Sequence, residues 1–365
     1  MQNIFLEHQN YLQKLMTERQ VSFVLVYSNA NNNASLRYLT NFYPLFDDAL
    51  YIQSSAGEQK MLIKFPWELG RASVVIGKSN VIVSRFFEEG LENILGSYKK
   101  EKRIGIIGFN LLTYSLGKYL IEKWKDSLID LDKDFNMFRL VKSEYELKLV
   151  EKAVQITEIA LQKSFKIAKQ HMTEKEFAAY LEFEIKSQGG DLAFETIAAS
   201  GENSLEIVSL PTNRRFQFGD TVIVDTGARY EGYCSDITRT MVVGNPSKQL
   251  MEVHRILNSI LDKIIEKIKP GMVAKDIHQI AQELYTQEGL GEVKSRIGHG
   301  IGLDTSLEPL DLQYDDIILK PGMTFCIEPG YYNDPPGGIR IEDDVVVTGT
   351  GCELISHISR ELVII

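Results

Sequence analysis

Four acidic residues and one histidine lie in apolar segments of the chain, where a charge needs a partner. They are Asp225 in VIVDTG, Asp236 in CSDITRT, Glu328 in CIEPG, Glu342 in IRIED and His299 in GHGIG. Taken one at a time, each carboxylate is better explained by a salt bridge or by solvent than by catalysis. If the four converged, their repulsion at about 4 Å would cost several kcal/mol per pair even at an effective dielectric constant of about 20. Two divalent cations would cancel that repulsion.

The donor types restrict which metal such a site would hold. Carboxylate oxygens with one imidazole suit Mn²⁺, Co²⁺, Fe²⁺ or Zn²⁺ rather than a metal selected by thiolates. The glycines on both sides of His299 leave room for a ligand or a substrate. The three cysteines, Cys234, Cys326 and Cys352, lack the spacing of a metal knuckle, and we interpret them as structural thiols.

The elements that must position these residues fall into two domains. From the start to about residue 135, short apolar runs alternate with helix-like stretches, which predicts an α/β layer domain. The runs are FVLVYS (23–28), ALYIQ (49–53), MLIKF (61–65), VIVS (81–84) and RIGIIG (103–108). Ser143 and Glu146 then form a predicted capping box at the start of a long helix. We place the domains at residues 1–138 and 142–365.

The second domain is predicted to contain both helices and strands. A stripe of isoleucine and leucine from Ile256 to Ile268 indicates a helix that ends at KPG (269–271), and a second helix follows with Ile277 and Leu284 on its apolar face. The expected strands are TVIVDTG (221–227), YCSDITRTMVV (233–243), MTFCIEPG (323–330) and IRIEDDVVVT (339–348). No short-period repeat is visible.

Composition excludes several classes of protein. The net charge of −10 is spread along 365 residues without a basic stripe, so a nucleic acid is not an expected partner. No apolar run approaches the roughly 20 residues of a membrane span, and the N-terminus lacks the layout of a signal peptide. The odd number of cysteines suits a reducing compartment. We therefore expect a protein of the cytoplasm that does not associate with membranes.

Four strings together resemble the creatinase/prolidase/aminopeptidase P family of dinuclear metallopeptidases, which have the pita-bread fold. They are VIVDTGARYEGYCSDITRT, GHGIGLD, LKPGMTFCIEPG and GIRIEDDVVVT. They follow the family's order and spacing across about residues 142–365, and the N-terminal part resembles the family's creatinase-type domain. The resemblance implies an α/β N-terminal creatinase-type domain followed by an α+β pita-bread catalytic domain.

The resemblance also implies a role for each residue of the cluster. Asp225 would chelate one metal, Asp236 and Glu342 would bridge both, and His299 and Glu328 would complete the second. The cofactor would be two divalent ions, with manganese or cobalt expected and zinc or iron as alternatives. In the family a hydroxide that bridges the metals attacks an amide carbonyl, and the residue equivalent to Glu328 helps to deprotonate that water.

Arg340, two residues before Glu342, matches a family arginine that supports the metal-site carboxylates. We count it with Glu328 among the catalytic residues. Thr238 lies in one of the matched strings, but β-propensity explains it equally well.

Histidines that the prolyl peptidases of the family carry outside the metal ligands are missing. In SGENSLEIVSLPTNRR (200–215), Val208 stands where one is expected. In GHGIGLDTSLEP, Ser306 replaces a second histidine and Leu307 the glutamate after it, and Ser295 stands where a third often lies. Loss of a positioned donor or proton-transfer group usually costs about 10²–10⁴ in rate. Val208, Ser306 and Ser295 are therefore candidate substrate contacts.

These features predict a metallohydrolase similar to Xaa-Pro dipeptidases and aminopeptidases, acting on a small peptide or amide with altered specificity. One alternative is a catalytically silent pseudo-peptidase that holds metal and binds a peptide or protein. Another is a hydrolase of a small non-peptide amide. The resemblance further implies a homodimer.

Overall fold

The computed structural model describes residues 2–95, 103–305 and 308–365. The chain divides into two compact units, residues 1–139 and residues 140–365. Each unit has its own sheets and core. None of the helices in the described part of the chain is long and apolar enough to cross a membrane.

The first unit contains a mixed six-stranded sheet. Its strands are β1 (Phe23–Asn29), β2 (Asp48–Ser54), β3 (Gln59–Ile63), β4 (Val81–Val83), β5 (Ile104–Ile107) and β6 (Leu128–Asp130). They lie in the order β4-β3-β2-β1-β5-β6. The five predicted apolar runs coincide with β1 to β5. The α/β layer character that alternation in the sequence predicts is therefore found.

Helices follow or precede the strands of this sheet. They are α1 (Gln2–Glu18), α2 (Ala34–Thr40), α3 (Leu69–Ile76), α4 (Phe87–Leu95), α5 (Tyr114–Trp124) and α6 (Asp132–Leu140). Leu91 of α4 and Leu120 of α5 pack in one buried cluster with Leu25 of β1 and Ile106 of β5. The sheet is thus covered by apolar faces of helices, as expected for a layered domain.

The second unit begins with the helix whose start the capping box marks. The amide of Ser143 donates to Glu146 Oε2 at 2.8 Å, and the amide of Glu146 donates to Ser143 Oγ at 3.3 Å. Among the described residues of this unit, the α-helices are α7 (Glu144–Ile167), α8 (Glu174–Ser187), α9 (Lys248–Lys267) and α10 (Ala274–Gln287). Helix α9 ends two residues before Lys269, as the KPG sequence predicts, since proline disfavours a helical conformation in the residue before it.

Short strands complete the part of the second unit that the structure describes. They are β7 (Asp191–Leu192), β8 (Ile197–Ser200), β9 (Thr221–Thr226), β10 (Ala228–Tyr230), β11 (Tyr233–Cys234), β12 (Ile237–Val242), β13 (Thr324–Ile327), β14 (Gly330–Asn333), β15 (Gly337–Arg340), β16 (Asp343–Val347), β17 (Cys352–Leu354) and β18 (Val363–Ile364). Their sheets have the orders β18-β12-β9-β8, β13-β16-β17, β14-β15 and β11-β10-β7.

Two of the predicted strands are interrupted. The run 233–243 divides into β11 and β12, and the run 339–348 divides into β15 and β16. Asp236 lies in the first gap and Glu342 in the second. Regular alternation of apolar residues does not reveal such gaps, because the side chains on both sides of each gap are buried.

The helix pairs α7–α8 and α9–α10 are built alike, about 100 residues apart. In the first pair the amide of His171 donates to the carbonyl of Phe216, and in the second the amide of Gly271 donates to the carbonyl of Leu319, each at 2.9 Å. His171 and Gly271 both have positive φ, 70° and 91°. A repeat of this length is not detected when the sequence is searched only for short periods.

Candidate metal centre

Asp225 and Asp236 are supplied by neighbouring antiparallel strands. In the ladder between β9 and β12, Asp225 faces Thr238, and Asp236 immediately precedes β12. The backbone amide of Asp236 donates to Asp344 Oδ2 at 2.9 Å, and that of Glu342 donates to the carbonyl of Thr238 at 3.1 Å. These bonds take the place of regular ladder bonds, so Asp236 and Glu342 both stand where a strand is interrupted.

The segment 297–301 runs along β13 and brings His299 to the same place. The amide of Cys326 donates to the carbonyl of His299 at 2.9 Å, and the amide of Glu328 donates to a carbonyl of the same segment at 2.9 Å. Gly298 permits this approach, because a Cβ there would lie 2.1 Å from the carbonyl oxygen of Cys326. The pairing of this segment with β13 sets His299 beside Glu328.

The donor atoms of this region form one tight, buried group. One ligand atom each from Asp236, His299, Cys326 and Glu342 lie within 4.8 Å of one another. His299 Nε2 is 3.5 Å from Asp236 Oδ2 and 3.9 Å from Glu328 Oε1. The side chain of Glu328 is 13% exposed, which makes it the most accessible of these groups. The structure thus brings together Asp236, His299, Glu328 and Glu342.

Arg340 joins the remaining acidic residue, Asp225, to this group. Its Nη2 donates to Asp225 Oδ2 at 2.6 Å, its Nε to Thr238 Oγ1 at 3.2 Å and its Nη1 to the Tyr332 hydroxyl at 3.0 Å. Thr238 Oγ1 in turn donates to Glu342 Oε2 at 2.7 Å. Thr238 therefore does more than occupy a strand: it connects the guanidinium to a second carboxylate.

Burial and mutual repulsion perturb the acidic groups. Burial, reinforced by the neighbouring Glu342, raises the pKa of Asp236 and of Glu328 well above the usual range. Burial and Asp225 raise the pKa of Glu342 to about 7. These shifts mean that the chain by itself does not supply enough positive charge to hold all the carboxylates ionised.

His299 has the protonation state that metal binding requires. Burial and the nearby Arg296 lower the pKa of His299 to about 4, so the ring is neutral at pH 7. Its Nδ1 lies 3.0 Å from the carbonyl of Gly300, and the hydrogen on Nδ1 must donate there because a carbonyl only accepts. The lone pair therefore lies on Nε2, the atom that faces Asp236 and Glu328.

Two buried oxygen atoms support the fit of a cation. Oδ1 of Asp225 and Oδ1 of Asp344 are buried and accept no hydrogen bond from any described residue. Buried acceptors are nearly always satisfied in proteins. Unsatisfied carboxylate oxygens beside a neutral imidazole and two further carboxylates fit a divalent metal ion.

Comparison with known proteins identifies the family. The model of metallopeptidase family M24 matches residues 148–349, and that of the creatinase/prolidase N-terminal domain matches residues 9–141. The chain belongs to metallopeptidase family M24. An Xaa-Pro dipeptidase of Pyrococcus horikoshii is 32% identical over 362 residues, which cover 96% of this chain and 97% of that protein.

Solved structures of the M24 family agree with this assignment. The prolidase from Pyrococcus horikoshii OT3 has a TM-score of 0.87 at 30% identity, with 98% of this chain and 99% of that chain covered. The X-Pro aminopeptidase from Thermotoga maritima MSB8 has a TM-score of 0.90 at 28% identity, with the same coverage. The predicted resemblance, the creatinase-type and pita-bread folds, and the prediction of a metallohydrolase similar to Xaa-Pro peptidases are confirmed.

The positions of the missing histidines have different surroundings in this M24 member. Val208 is 73% exposed and follows Ile207, whose carbonyl accepts from Arg340 Nη1 at 2.8 Å. Ser295 is buried and lies close to the hydroxyl of Tyr332. Ser306 and Leu307 lie outside the described residues.

Three residues of the site were not predicted from the sequence as its members: Cys326, Tyr332 and Asp344. For two of them a signal exists, because side chains two residues apart point to the same side of a strand. Cys326 precedes Glu328 by two residues, and Asp344 follows Glu342 by two. Tyr332 reaches Arg340 only through the β14–β15 pairing, in which Gly330 faces Arg340, so it has no local signal.

Proposed function

We propose that this M24 member is a dinuclear metal-dependent peptidase that cleaves Xaa-Pro dipeptides or short Xaa-Pro peptides with altered substrate specificity. One observation carries the proposal: five carboxylate and imidazole side chains, in strands or beside them, meet in one buried group that has too little positive charge of its own. The names of the relatives, an Xaa-Pro dipeptidase and an X-Pro aminopeptidase, support the proposal that the cleaved bond is an Xaa-Pro bond.

Each residue of the group has a role in this proposal. Asp225 would hold one ion, Asp236 and Glu342 would bridge both ions, and His299 and Glu328 would complete the second. Bound divalent cations supply Lewis acidity and lower the pKa of water to near neutrality. Manganese or cobalt is our expectation, with zinc or iron as alternatives.

Glu328 is the proposed proton acceptor. It is the most exposed carboxylate of the group and lies 3.9 Å from His299 Nε2. Because burial and Glu342 raise its pKa, Glu328 can accept a proton from water nearer to neutral pH than an ordinary glutamate can. The carboxylic acid so formed can then return the proton to the leaving amine.

Arg340 is proposed to position the other groups. Its bonds to Asp225, Thr238 and the Tyr332 hydroxyl fix the orientation of one metal-binding carboxylate and of one phenol. A guanidinium suits this task because its donors have a fixed planar arrangement.

The altered specificity is proposed from residues near this network. Ser295 takes the place of a histidine and lies close to the hydroxyl of Tyr332, which accepts a hydrogen bond from Arg340. Val208, also at the position of a histidine, is largely exposed, and its side chain has no hydrogen-bond donor. Together with Ser306, these positions would give substrate contacts unlike those of ordinary prolyl peptidases.

The assembly and location of the protein are further parts of the proposal. We propose a homodimer in the cytoplasm that acts on small substrates and has neither a nucleic acid nor a membrane as partner. These proposals rest on family resemblance and on composition.

The direct test is metal-dependent hydrolysis. Protein loaded with Mn²⁺ or Co²⁺ is incubated with pooled Xaa-Pro dipeptides and tripeptides and with small N-acyl compounds, and product masses are followed. Asp236→Ala is the control, because loss of a carboxylate shared by two cations should empty the site. Glu328→Gln should keep metal better than Asp236→Ala but lose turnover by about 10²–10⁴-fold.

The outcomes distinguish the candidate functions. Cleavage of Xaa-Pro bonds that is lost in Asp236→Ala supports the proposal. Turnover of N-acyl compounds alone indicates a hydrolase of non-peptide amides, whereas metal binding without any turnover indicates a silent binding protein. Normal metal content in Asp236→Ala, or unchanged turnover in Glu328→Gln, contradicts the role assigned to that residue.

A further inference from the structure

The sulfur of Cys326 lies among the proposed metal ligands. It is one of the four donor atoms within 4.8 Å of one another, with those of Asp236, His299 and Glu342. Metal–sulfur bonds measure about 2.3 Å and metal–oxygen or metal–nitrogen bonds about 2.0–2.2 Å, so two donors on opposite sides of one ion are about 4.0–4.5 Å apart. The group therefore has nearly the dimensions of one coordination sphere.

The position of Cys326 on β13 explains why its sulfur faces the site. Phe325 and Ile327, the residues on either side, are fully buried in the apolar core, so alternation along the strand directs Cys326 to the opposite side. In the ladder with β16 it faces Asp344. Its sulfur lies within 4.8 Å of a carboxylate oxygen of Glu342.

The surroundings of Cys326 differ from those of an ordinary buried thiol. Free cysteines usually pack among apolar groups, whereas Cys326 is completely buried next to several carboxylates. A second observation also points to a cation here: Asp344 Oδ1, on the residue that faces Cys326, is buried without a hydrogen-bond donor among the described residues.

We propose that the Cys326 sulfur is a direct ligand of the metal ion held by Asp236, His299 and Glu342, and that it shifts the metal preference of the site from manganese towards zinc and cobalt. The inference rests on the proposed metallopeptidase function. When the metal binds, the S–H bond breaks, the sulfur keeps the electron pair for the metal, and the proton passes to the buffer. Thiolate donors favour softer metals than carboxylates do.

The first experiment detects the metal–sulfur bond by its absorption. Metal-free protein is loaded with Co²⁺ in the presence of a phosphine reductant, since a thiol reductant would itself bind cobalt. We expect an intense sulfur-to-cobalt charge-transfer band in the near ultraviolet for the native protein and its loss in Cys326→Ser. Cys234→Ser is the matched control and should keep the band, because Cys234 is equally buried but accepts from Arg229 Nε at 3.4 Å.

The second experiment measures metal preference. The metal-free proteins are dialysed against equal concentrations of Zn²⁺ and Mn²⁺, and the bound metals are quantified by mass spectrometry. The ratio of bound zinc to bound manganese should fall by at least about 10–100-fold in Cys326→Ser. Loss of a group that only supports a metal ligand already lowers metal affinity by this factor, and loss of a direct ligand should cost no less. Cys234→Ser should have the ratio of the native protein.

The outcomes separate this inference from the proposed function. If the native protein binds metal and cleaves Xaa-Pro peptides without the charge-transfer band, the inference is wrong and the proposed function stands. If the native protein binds no more metal than Asp236→Ala does, both are wrong. Should Cys326→Ser fail to fold, Cys326→Ala takes its place, and a band that persists there overturns the inference.

Discussion

Burying several carboxylates beside one imidazole is costly, and this chain offsets the cost only in part. Arg340 neutralises Asp225 directly, but Asp236 and Glu342 have no cation in contact among the described ion pairs. Burial and the neighbouring carboxylates raise the pKa of both groups. A divalent ion held here would offset the repulsion between the buried carboxylates, so we expect metal binding and folding of the second unit to be linked.

The pH dependence of the metal-free protein should reveal this cost at Glu342. Its pKa is about 7 in the folded chain, against an ordinary value of 4.5. Between these values the folded protein holds a proton that the unfolded chain has lost, so this group makes stability fall as pH rises through this window. At roughly 1.4 kcal/mol per pKa unit, the shift from 4.5 to about 7 corresponds to about 3–4 kcal/mol. Glu342→Gln removes it.

We therefore expect metal-free Glu342→Gln to gain stability relative to the native protein when both are moved from pH 5 to pH 8. The measurement is urea unfolding followed by circular dichroism. Glu353→Gln, at an exposed position of β17, is the control and should show no such gain. An equal pH response of native protein and Glu342→Gln would contradict the assigned environment of Glu342.

Arg340 provides a second test at the scale of single residues. Arg340→Lys keeps the charge but cannot reach Asp225, Thr238 and Tyr332 at once, because an ammonium lacks the planar fork of donors. Metal affinity should fall by about 10–100-fold, as for other outer partners of metal ligands. Titration of the metal-free protein with Mn²⁺ measures this directly.

A substitution of another largely buried arginine controls for general damage. Arg214, whose Nη1 donates to Asp220 at 2.5 Å, lies in the stretch 200–215 outside the metal-binding group. Arg214→Lys should lower stability without lowering metal affinity. If Arg340→Lys and Arg214→Lys bind Mn²⁺ with the same affinity, Arg340 does not orient the proposed metal-binding carboxylates.

The chemical types of the site residues were readable from the sequence, but their partners were not. Asp225, Asp236, Glu328 and Glu342 stand out because a charge in an apolar run demands compensation. Nothing local distinguishes Cys326 from any other buried thiol until its alternation with Glu328 is considered. The partners of Arg340 lie more than 100 positions away in sequence at Asp225 and Thr238, and only the sheet order brings them together.

At the scale of the elements, the site depends on two interrupted strands and one close backbone approach. The predicted strands were correct in place but too long, because Asp236 and Glu342 exchange ladder bonds for bonds to Asp344 and Thr238. Such changes of hydrogen-bond partner follow from the tertiary arrangement of β12 and β16. The hydrophobic pattern of the sequence does not predict them. The ends of secondary-structure elements are accordingly harder to predict than their presence.

Gly298 is the glycine on which the close approach depends. Gly298→Ala would place a methyl group 2.1 Å from the carbonyl oxygen of Cys326, so the segment 297–301 would have to move away from β13. His299 would move with it. We expect loss of most bound metal, measured by mass spectrometry, together with a lower unfolding temperature.

Gly349→Ala is the matched control for this substitution. A methyl group at Gly349 would meet no atom within 4 Å, and the φ of this residue is not in the positive range that disfavours a side chain. Metal content and unfolding temperature should therefore be unchanged. Normal metal content in Gly298→Ala would show that the backbone approach is not needed to position His299.

At the scale of the whole molecule, the sequence predicted two domains of different character, and the structure has two compact units. The alternation of strands and helices indicated the first, and the capping box at Ser143 indicated where the helices of the second begin. The likeness of the two helix pairs lies outside the reach of a search for short periods, because corresponding residues are about 100 positions apart. Lys169, Met172 and Lys175 of the first pair recur as Lys269, Met272 and Lys275 of the second, and the turns at His171 and Gly271 share a positive φ.

All proposed metal ligands belong to residues 140–365, and this sets where metal should stabilise the chain. A ligand present at 100 times its dissociation constant stabilises the state that binds it by about 2.7 kcal/mol. We expect added Mn²⁺ to slow amide hydrogen exchange in peptides covering β9, β12, β13 and β16, and to leave peptides from β1 to β6 unchanged. Asp236→Ala should abolish the protection. Metal binding should protect most strongly the strands that carry its ligands. Equal protection in β1 to β6, or protection that survives in Asp236→Ala, would therefore mean that the metal binds elsewhere.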